Sequence, residues 1–119
     1  MAAKFKFGKD PLVVIDPEDN SQVTLDYARL KKAALTLRAL YHPLRKHILG
    51  MIEANKKMPV NQIYKKLKIE QSVASQHLAI MRRAGVVSTV RDGKFIYYSI
   101  NAKRLAEIKG LVEQLAQEG

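Results

Sequence analysis

The hydrophobic period of this chain changes once, abruptly, at Gly85. Before it, Ala74, Leu78 and Met81 fall at i, i+4, i+7, one face of an α-helix, within "SVASQHLAIMRRAG" (72–85). After it, "VVSTVRDGKFIYYSI" (86–100) is β-branched and aromatic on both sides of Asp92-Gly93, a dipeptide that favours a tight hairpin turn. A type I′ turn is expected there, with Arg91 opposite Lys94 at the tip. A helix that passes directly into a two-stranded ribbon needs other helices to close a shared core.

Those helices are legible upstream. "TLDYARLKKAALTLRAL" (24–40) lines up Leu30, Ala33, Ala34, Leu37 and Leu40, with a second apolar line through Ala28, Leu35 and Ala39. A helix apolar on two sides needs two surfaces to bury against, and a second copy of the chain can supply one of them. Pro43 opens a helix that runs to about residue 55 with Leu44, Ile48 and Ile52 inward. Pro59 precedes a short helix over 60–67 with Val60, Ile63 and Leu67 inward. The fourth helix spans 72–84 and stops at Gly85. After the wing, 86–100, Asn101 caps a last helix over 101–117 whose seam is Leu105, Ile108, Leu111, Val112 and Leu115. Gly110 weakens that helix, so packing must sustain it.

Residues 1–21 read as a flexible tail, with Lys4, Lys6, Lys9 and the acidic "DPEDN". "LVVI" (12–15) can form one strand, and Phe5 and Phe7 alternate with lysines as in a nucleic-acid contact. The remainder, 22–119, is expected to be a single domain of the mainly α (α+β) class. Its order is that of a winged helix-turn-helix with a two-stranded β-hairpin wing.

Charge narrows the partner. Lys plus Arg number 21 against 11 Asp plus Glu, a net charge of +10. Between residues 43 and 98 there are 11 basic and 3 acidic residues, so +8 of that total lies in one central segment. Such a balance favours a polyanion, either nucleic acid or an anionic membrane surface. The absence of cysteine excludes disulfides, thiolate metal sites and thiol nucleophiles. No apolar run is long enough to span a bilayer, so a soluble, cytoplasmic protein without membrane attachment is expected. An enzyme is not expected: there is no Gly-rich phosphate loop and no apolar carboxylate pair, and Ser75 and His77, two apart on a helix, point different ways.

With Ala74, Leu78 and Met81 inward, Gln71, Ser72, Val73, Ser75 and Gln76 project from the other side of the first two turns. Gln pairs with adenine edges, Ser serves a base or a phosphate, and Val meets the thymine methyl. Gln76 is the leading candidate for base readout. Arg91 and Lys94 are placed for phosphates or the minor groove. Lys65, Lys66 and Lys68 read as further phosphate contacts or as an ordinary solvated run. Of Arg82 and Arg83, one is expected on the DNA backbone, taken as Arg82, and the other opposing the helix dipole. Strand alternation puts one of Tyr97 and Tyr98 on the core side.

"HPLRKHILGMI", "VNQIYKKLKIEQSVASQHLAIMRRAGVV" and "RDGKFIYYSI" resemble the ArsR-type (ArsR/SmtB) winged-helix transcriptional repressors, over roughly residues 30–115. The resemblance implies a homodimer on double-stranded DNA at a pseudo-palindromic operator, released by a small inducer. It implies an interface of first and last helices, here Leu30, Ala34, Leu37, Leu105, Ile108, Leu111, Val112 and Leu115. His77 matches a family position, where a phosphate contact or a hydrogen bond packing the helix is expected. Many members have Arg at the position of Gln76, so this chain is expected to prefer A·T there. The metal sensors of the family use cysteines, or Asp and His on the last helix. The matching positions here are Ala102, Arg104, Leu115 and Glu118, so three of four ligands are absent. His42 and His47 are five apart, not the i, i+4 of a shared helical site. No metal and no cofactor are expected, leaving an unidentified small-molecule effector, a partner protein or no inducer at all. The competing readings are a winged-helix protein that binds nucleic acid without sequence choice, and a protein-interaction module. Uncharged Gln71, Ser72, Ser75 and Gln76 argue against the first, and the central charge argues against the second.

Overall fold

The computed structural model of the chain describes residues 8–117; Lys4, Phe5, Lys6, Phe7 and Glu118 lie outside them. The elements in order are β1 (Leu12–Ile15), β2 (Gln22–Leu25), α1 (Tyr27–Leu40), α2 (Pro43–Asn55), β3 (Met58–Pro59), α3 (Val60–Leu67), α4 (Gln71–Arg83), β4 (Val87–Asp92), β5 (Phe95–Ile100) and α5 (Ala102–Ala116). The chain divides into two units between Leu35 and Thr36.

In the first unit the expected tail is replaced by an antiparallel hairpin. β1 pairs with β2 in the register Leu12↔Leu25, Val13↔Thr24, Val14↔Val23, Ile15↔Gln22. The expected boundary at 21/22 therefore cuts through one structural element. The same pairing withdraws residues 24 and 25 from the first helix, which starts three residues later than expected. Asp26 marks the start, its Oδ1 accepting from the amides of Ala28 (2.9 Å) and Arg29 (3.4 Å).

The second unit holds the core. Ile48 and Ile52 of α2, Met58 of β3, Ile63 of α3, Leu78 and Met81 of α4, Val86, Val87 and Ile108 form one buried cluster. Ile108, expected at the dimer seam, belongs to this cluster and is 4% exposed. Leu37 and Leu105 pack against it half-buried. The exposed seam residues are Leu111, Val112 and Leu115 on α5 and Leu30 and Ala34 on α1. The seam separates because the core of one chain takes up Leu37, Leu105 and Ile108, whereas residues 109–116 of α5 are all exposed.

A helix C-terminus makes the handover to the sheet. Gly85 has φ +80°, its amide donating to Arg82 O (3.0 Å) and that of Val86 to Met81 O (3.1 Å), the paired bonds of a Schellman motif. The sheet has three strands in the order β3-β5-β4. The third strand, only Met58 and Pro59 opposite Tyr98 and Tyr97, is too short to show a period. Tyr98 packs on the core, whereas Lys57 Nζ lies 4.7 Å from the centroid of the Tyr97 ring, as the alternation requires.

The hairpin turn differs from expectation by one residue. Asp92 pairs with Phe95 and Arg91 with Ile96, so Gly93 and Lys94 are the turn centres and Arg91 does not face Lys94. Gly93 alone takes a positive φ, +63°, the pattern of a type II′ turn. A type I′ turn would have needed Asp92 in the left-handed region, which costs about 1–2 kcal/mol for a residue with a Cβ; glycine at the first centre avoids that cost.

Because Ile108 is a core residue, Ile108→Ala is expected to lower unfolding free energy by about 2–5 kcal/mol. Urea titrations at two protein concentrations check this, since a core loss persists unchanged between them.

Candidate nucleic-acid interface

α3 braces α4. Ile63 is buried and Val60 and Leu67 are half-buried, which leaves Lys65 and Lys66 exposed at the end of α3. Lys68 closes that helix in the left-handed conformation (φ 54°, ψ 43°), its amide turned to Lys65 O and that of Ile69 to Tyr64 O. This closure swings the chain into α4 within three residues, and exposes a third lysine at the bend.

α4 starts without a side-chain cap: Glu70 makes no such bond, and its carbonyl receives the amides of Val73 and Ala74. The positive end of the helix dipole is thus left for an anion such as a phosphate. Ala74, Leu78 and Met81 are buried, as their spacing requires, and Gln71, Ser72, Ser75 and Gln76 are exposed with Val73 half-buried beside them. Arg82 and Arg83 are exposed at the other end, and Arg83 Nε turns back to Ala79 O at 3.4 Å, leaving Arg82 as the outward one. On the wing, Arg91 and Lys94 are both exposed, with Arg91 Nε 3.4 Å from Gly93 O. Lys57 reaches to 4.0 Å from Asp92, against the same ribbon.

Behind this surface lies a cluster that sequence reasoning missed. Arg45, 9% exposed, donates from Nε to Ala39 O (2.9 Å), from Nη2 to Arg38 O (2.8 Å) and from Nη1 toward His77 Nδ1 (3.2 Å). His42 caps α2, its Nδ1 accepting from the amides of Leu44 (3.1 Å) and Arg45 (3.4 Å), and its ring centroid stands 5.1 Å from that of His77. A guanidinium can only donate, so His77 Nδ1 must carry the lone pair and the ring is neutral with its proton on Nε2. His77 thus makes the helix-packing hydrogen bond, one of the two roles expected of it, while its Nε2–H remains a donor. Its pKa is held below the ordinary histidine value, first by burial and then by the nearby His42 and Arg45. The clue to Arg45 was its phase: it stands three and seven residues before Ile48 and Ile52, on the buried line of α2.

Arg104 is the second omission. Its Nε donates to Ala84 O at 3.2 Å, beyond the end of α4, and its Nη1 lies 3.4 Å from Glu107. The position matched to a metal ligand thus holds a cation that secures α4 to α5. Among the described residues no three His, Asp or Glu side chains gather closely enough to hold a metal. An open groove of about 510 Å³ runs along α2, lined by Pro43, Lys46, His47, Gly50, Met51 and Ala54. No helix among the described residues is long and apolar enough to cross a membrane.

A braced helix with a polar outer face, followed by a three-stranded sheet whose hairpin projects lysine and arginine, defines a winged helix-turn-helix protein. The family model for bacterial regulatory proteins of the arsR family matches residues 42–89. The transcriptional repressor PagR of Bacillus anthracis is 36% identical over 91 residues, covering 76% of this chain and 88% of PagR. Its crystal structure aligns with a TM-score of 0.56 at 37% identity, over 76% of this chain and 99% of that one. The transcriptional activator HlyU of Vibrio cholerae is 33% identical over 71% of this chain and 74% of its own length. A homodimeric winged helix-turn-helix DNA-binding domain from Mycobacterium bovis, solved by NMR, aligns with a TM-score of 0.60 at 28% identity, over 76% of this chain and 82% of that one. This chain belongs to the arsR family of bacterial transcriptional regulators.

Two measurements probe the Arg45 cluster. Arg45→Met should cost about 2–3 kcal/mol in urea unfolding, because bonds from a charged donor are lost and two carbonyls are left unpaired. Because the folded-state pKa of His77 is depressed, the unfolded chain binds a proton that the folded chain refuses. Stability is therefore expected to be full above pH 6.5 and to fall as pH drops from there through the lowered folded value. In His77→Gln, urea midpoints at pH 7.5 and 5.5 should differ less than in the unaltered chain.

Proposed function

We propose that this chain is a homodimeric repressor that binds a two-fold operator in double-stranded DNA, with α4 in the major groove. The observation that carries the reading is the division of labour on the exposed surface. Four uncharged hydrogen-bonding side chains, Gln71, Ser72, Ser75 and Gln76, occupy the outer face of α4. Lys65, Lys66 and Lys68 stand before it, Arg82 at its far end, and Arg91 and Lys94 on the wing. Cations at the rim supply affinity for phosphates, and amides and hydroxyls at the centre can distinguish bases. A purely electrostatic binder has no need of such a centre.

Dimerisation through α1 and α5 is supported by the apolar side chains these helices leave exposed, Leu30, Leu111, Val112 and Leu115, and by the homodimeric state of the Mycobacterium bovis domain. Repression is taken from the resemblance to PagR; HlyU, similar over 71% of this chain, is named an activator. The site of action is the cytoplasm, where the DNA is.

Fluorescence anisotropy on DNA from upstream of the chain's own gene, competed with scrambled DNA, tests this reading. A preference of about 10³-fold or more is expected for a specific regulator. Gln76→Ala should reduce that preference by about 1–3 kcal/mol, whereas Lys94→Ala should weaken both DNAs alike and lower the salt slope by about 1. Uniform loss in Gln76→Ala would remove Gln76 from base readout. Leu111→Glu should give a monomer in light scattering.

A further inference from the structure

The hairpin of β1 and β2 carries an exposed apolar face outside the residues assigned to DNA above. Directly opposed residues of an antiparallel pair share a face, so the register puts Leu12, Val14, Val23 and Leu25 together on one side. Val13 and Ile15 share the other side with Thr24 and Gln22. The first side is thus wholly apolar, and its four side chains are 48%, 48%, 56% and 41% exposed. A two-stranded hairpin is marginal in water unless something covers one face.

Charge selects the cover. Residues 10–26 contain Asp10, Asp16, Glu18, Asp19 and Asp26 and no Lys or Arg, so this segment carries −5 and the rest of the +10 chain carries +15. Nucleic acid and anionic bilayers would be repelled by the segment, whereas the remainder of another copy of the chain is of opposite sign. Continuity points the same way. Asp26 is the single residue between β2 and α1, and α1 presents Leu30 and Ala34 to the proposed dimer seam. A two-fold contact made along the start of α1 brings each hairpin within reach of the partner chain.

We infer that the face formed by Leu12, Val14, Val23 and Leu25 packs against a second copy of this chain, extending the dimer contact of α1. This rests on the homodimer reading above. Threonine tests it, because it stays β-branched while exchanging a methyl of valine for a hydroxyl. In the full chain, sedimentation equilibrium should show the dimer dissociation constant raised at least tenfold by Val14→Thr with Val23→Thr, and little changed by Val13→Thr with Ile15→Thr. Hydrogen exchange should protect the amides of 12–15 and 22–25 more strongly above the dissociation constant than below it. An unchanged constant in the first pair overturns the inference, as does equal weakening by both pairs. Protection that persists in monomeric Leu111→Glu also overturns it, because the cover would then be the chain itself. If the unaltered chain dimerises and Leu111→Glu does not, while Val14→Thr with Val23→Thr matches the unaltered chain, the homodimer reading stands and the hairpin contact falls. A monomeric unaltered chain removes both.

Discussion

The guanidinium of Arg45 is the fixed point of the helix-turn-helix. A buried cation is costly unless its donors are used, and three of its nitrogens are: two on carbonyls in the last turn of α1 and one on His77 of α4. Because α2 carries the arginine, three helices are pinned at a single residue. The packing of Ile48, Ile52, Leu78 and Met81 gives the cohesion. The arginine supplies direction, since a planar fork with five donors accepts few arrangements of its partners.

From that pin the outer surface follows. α4 is held at its middle by Arg45 through His77, and just past its end by Arg104 on Ala84 O. The wing is held along its inner strand by Met58 and Pro59 and steadied by Lys57 over Tyr97. The readout helix and the ribbon beside it therefore share one core, and neither can tilt without disturbing it. Such rigidity suits a surface whose bases and phosphates must be met within hydrogen-bond distance.

Much of this was legible in the sequence, for reasons that differ by element. α2, α3 and α4 announce themselves because each buries one face only, and a 3.6-residue period survives wherever burial is one-sided. The ribbon is legible from its alternation. β1 was legible as a possible strand, but its partner was not: "QVTL" sits beside a strong helical pattern that claimed its second half. β3 is too short for any pattern. The turn was misplaced because Asp-Gly admits two registers, and only the cost of a positive φ at aspartate chooses between them. Ile108 was assigned to the seam because periodicity reports which residues are apolar but not which of two surfaces receives them. On α4 the exposed face was readable from the buried one. For His77 the family resemblance offered a packing bond as one of two roles, but not its partner, which lies 32 residues away in the chain; a pattern confined to one helix carries no trace of it.

The two bonds from Arg45 to α1 end on carbonyls, at Arg38 and Ala39, and not on side chains. Every residue has a carbonyl. The pin consequently asks α1 to be helical at its end and asks nothing of its composition there. A lineage descended from this chain is free to rewrite the exposed first turns of α1, and with them the choice of mate in the assembly, while Leu37, Ala39 and Leu40 stay tied to the core and the pose of α4 is inherited unaltered. Mate choice and groove reading can then diverge independently, so duplicated genes need not cross-assemble in order to keep related operators.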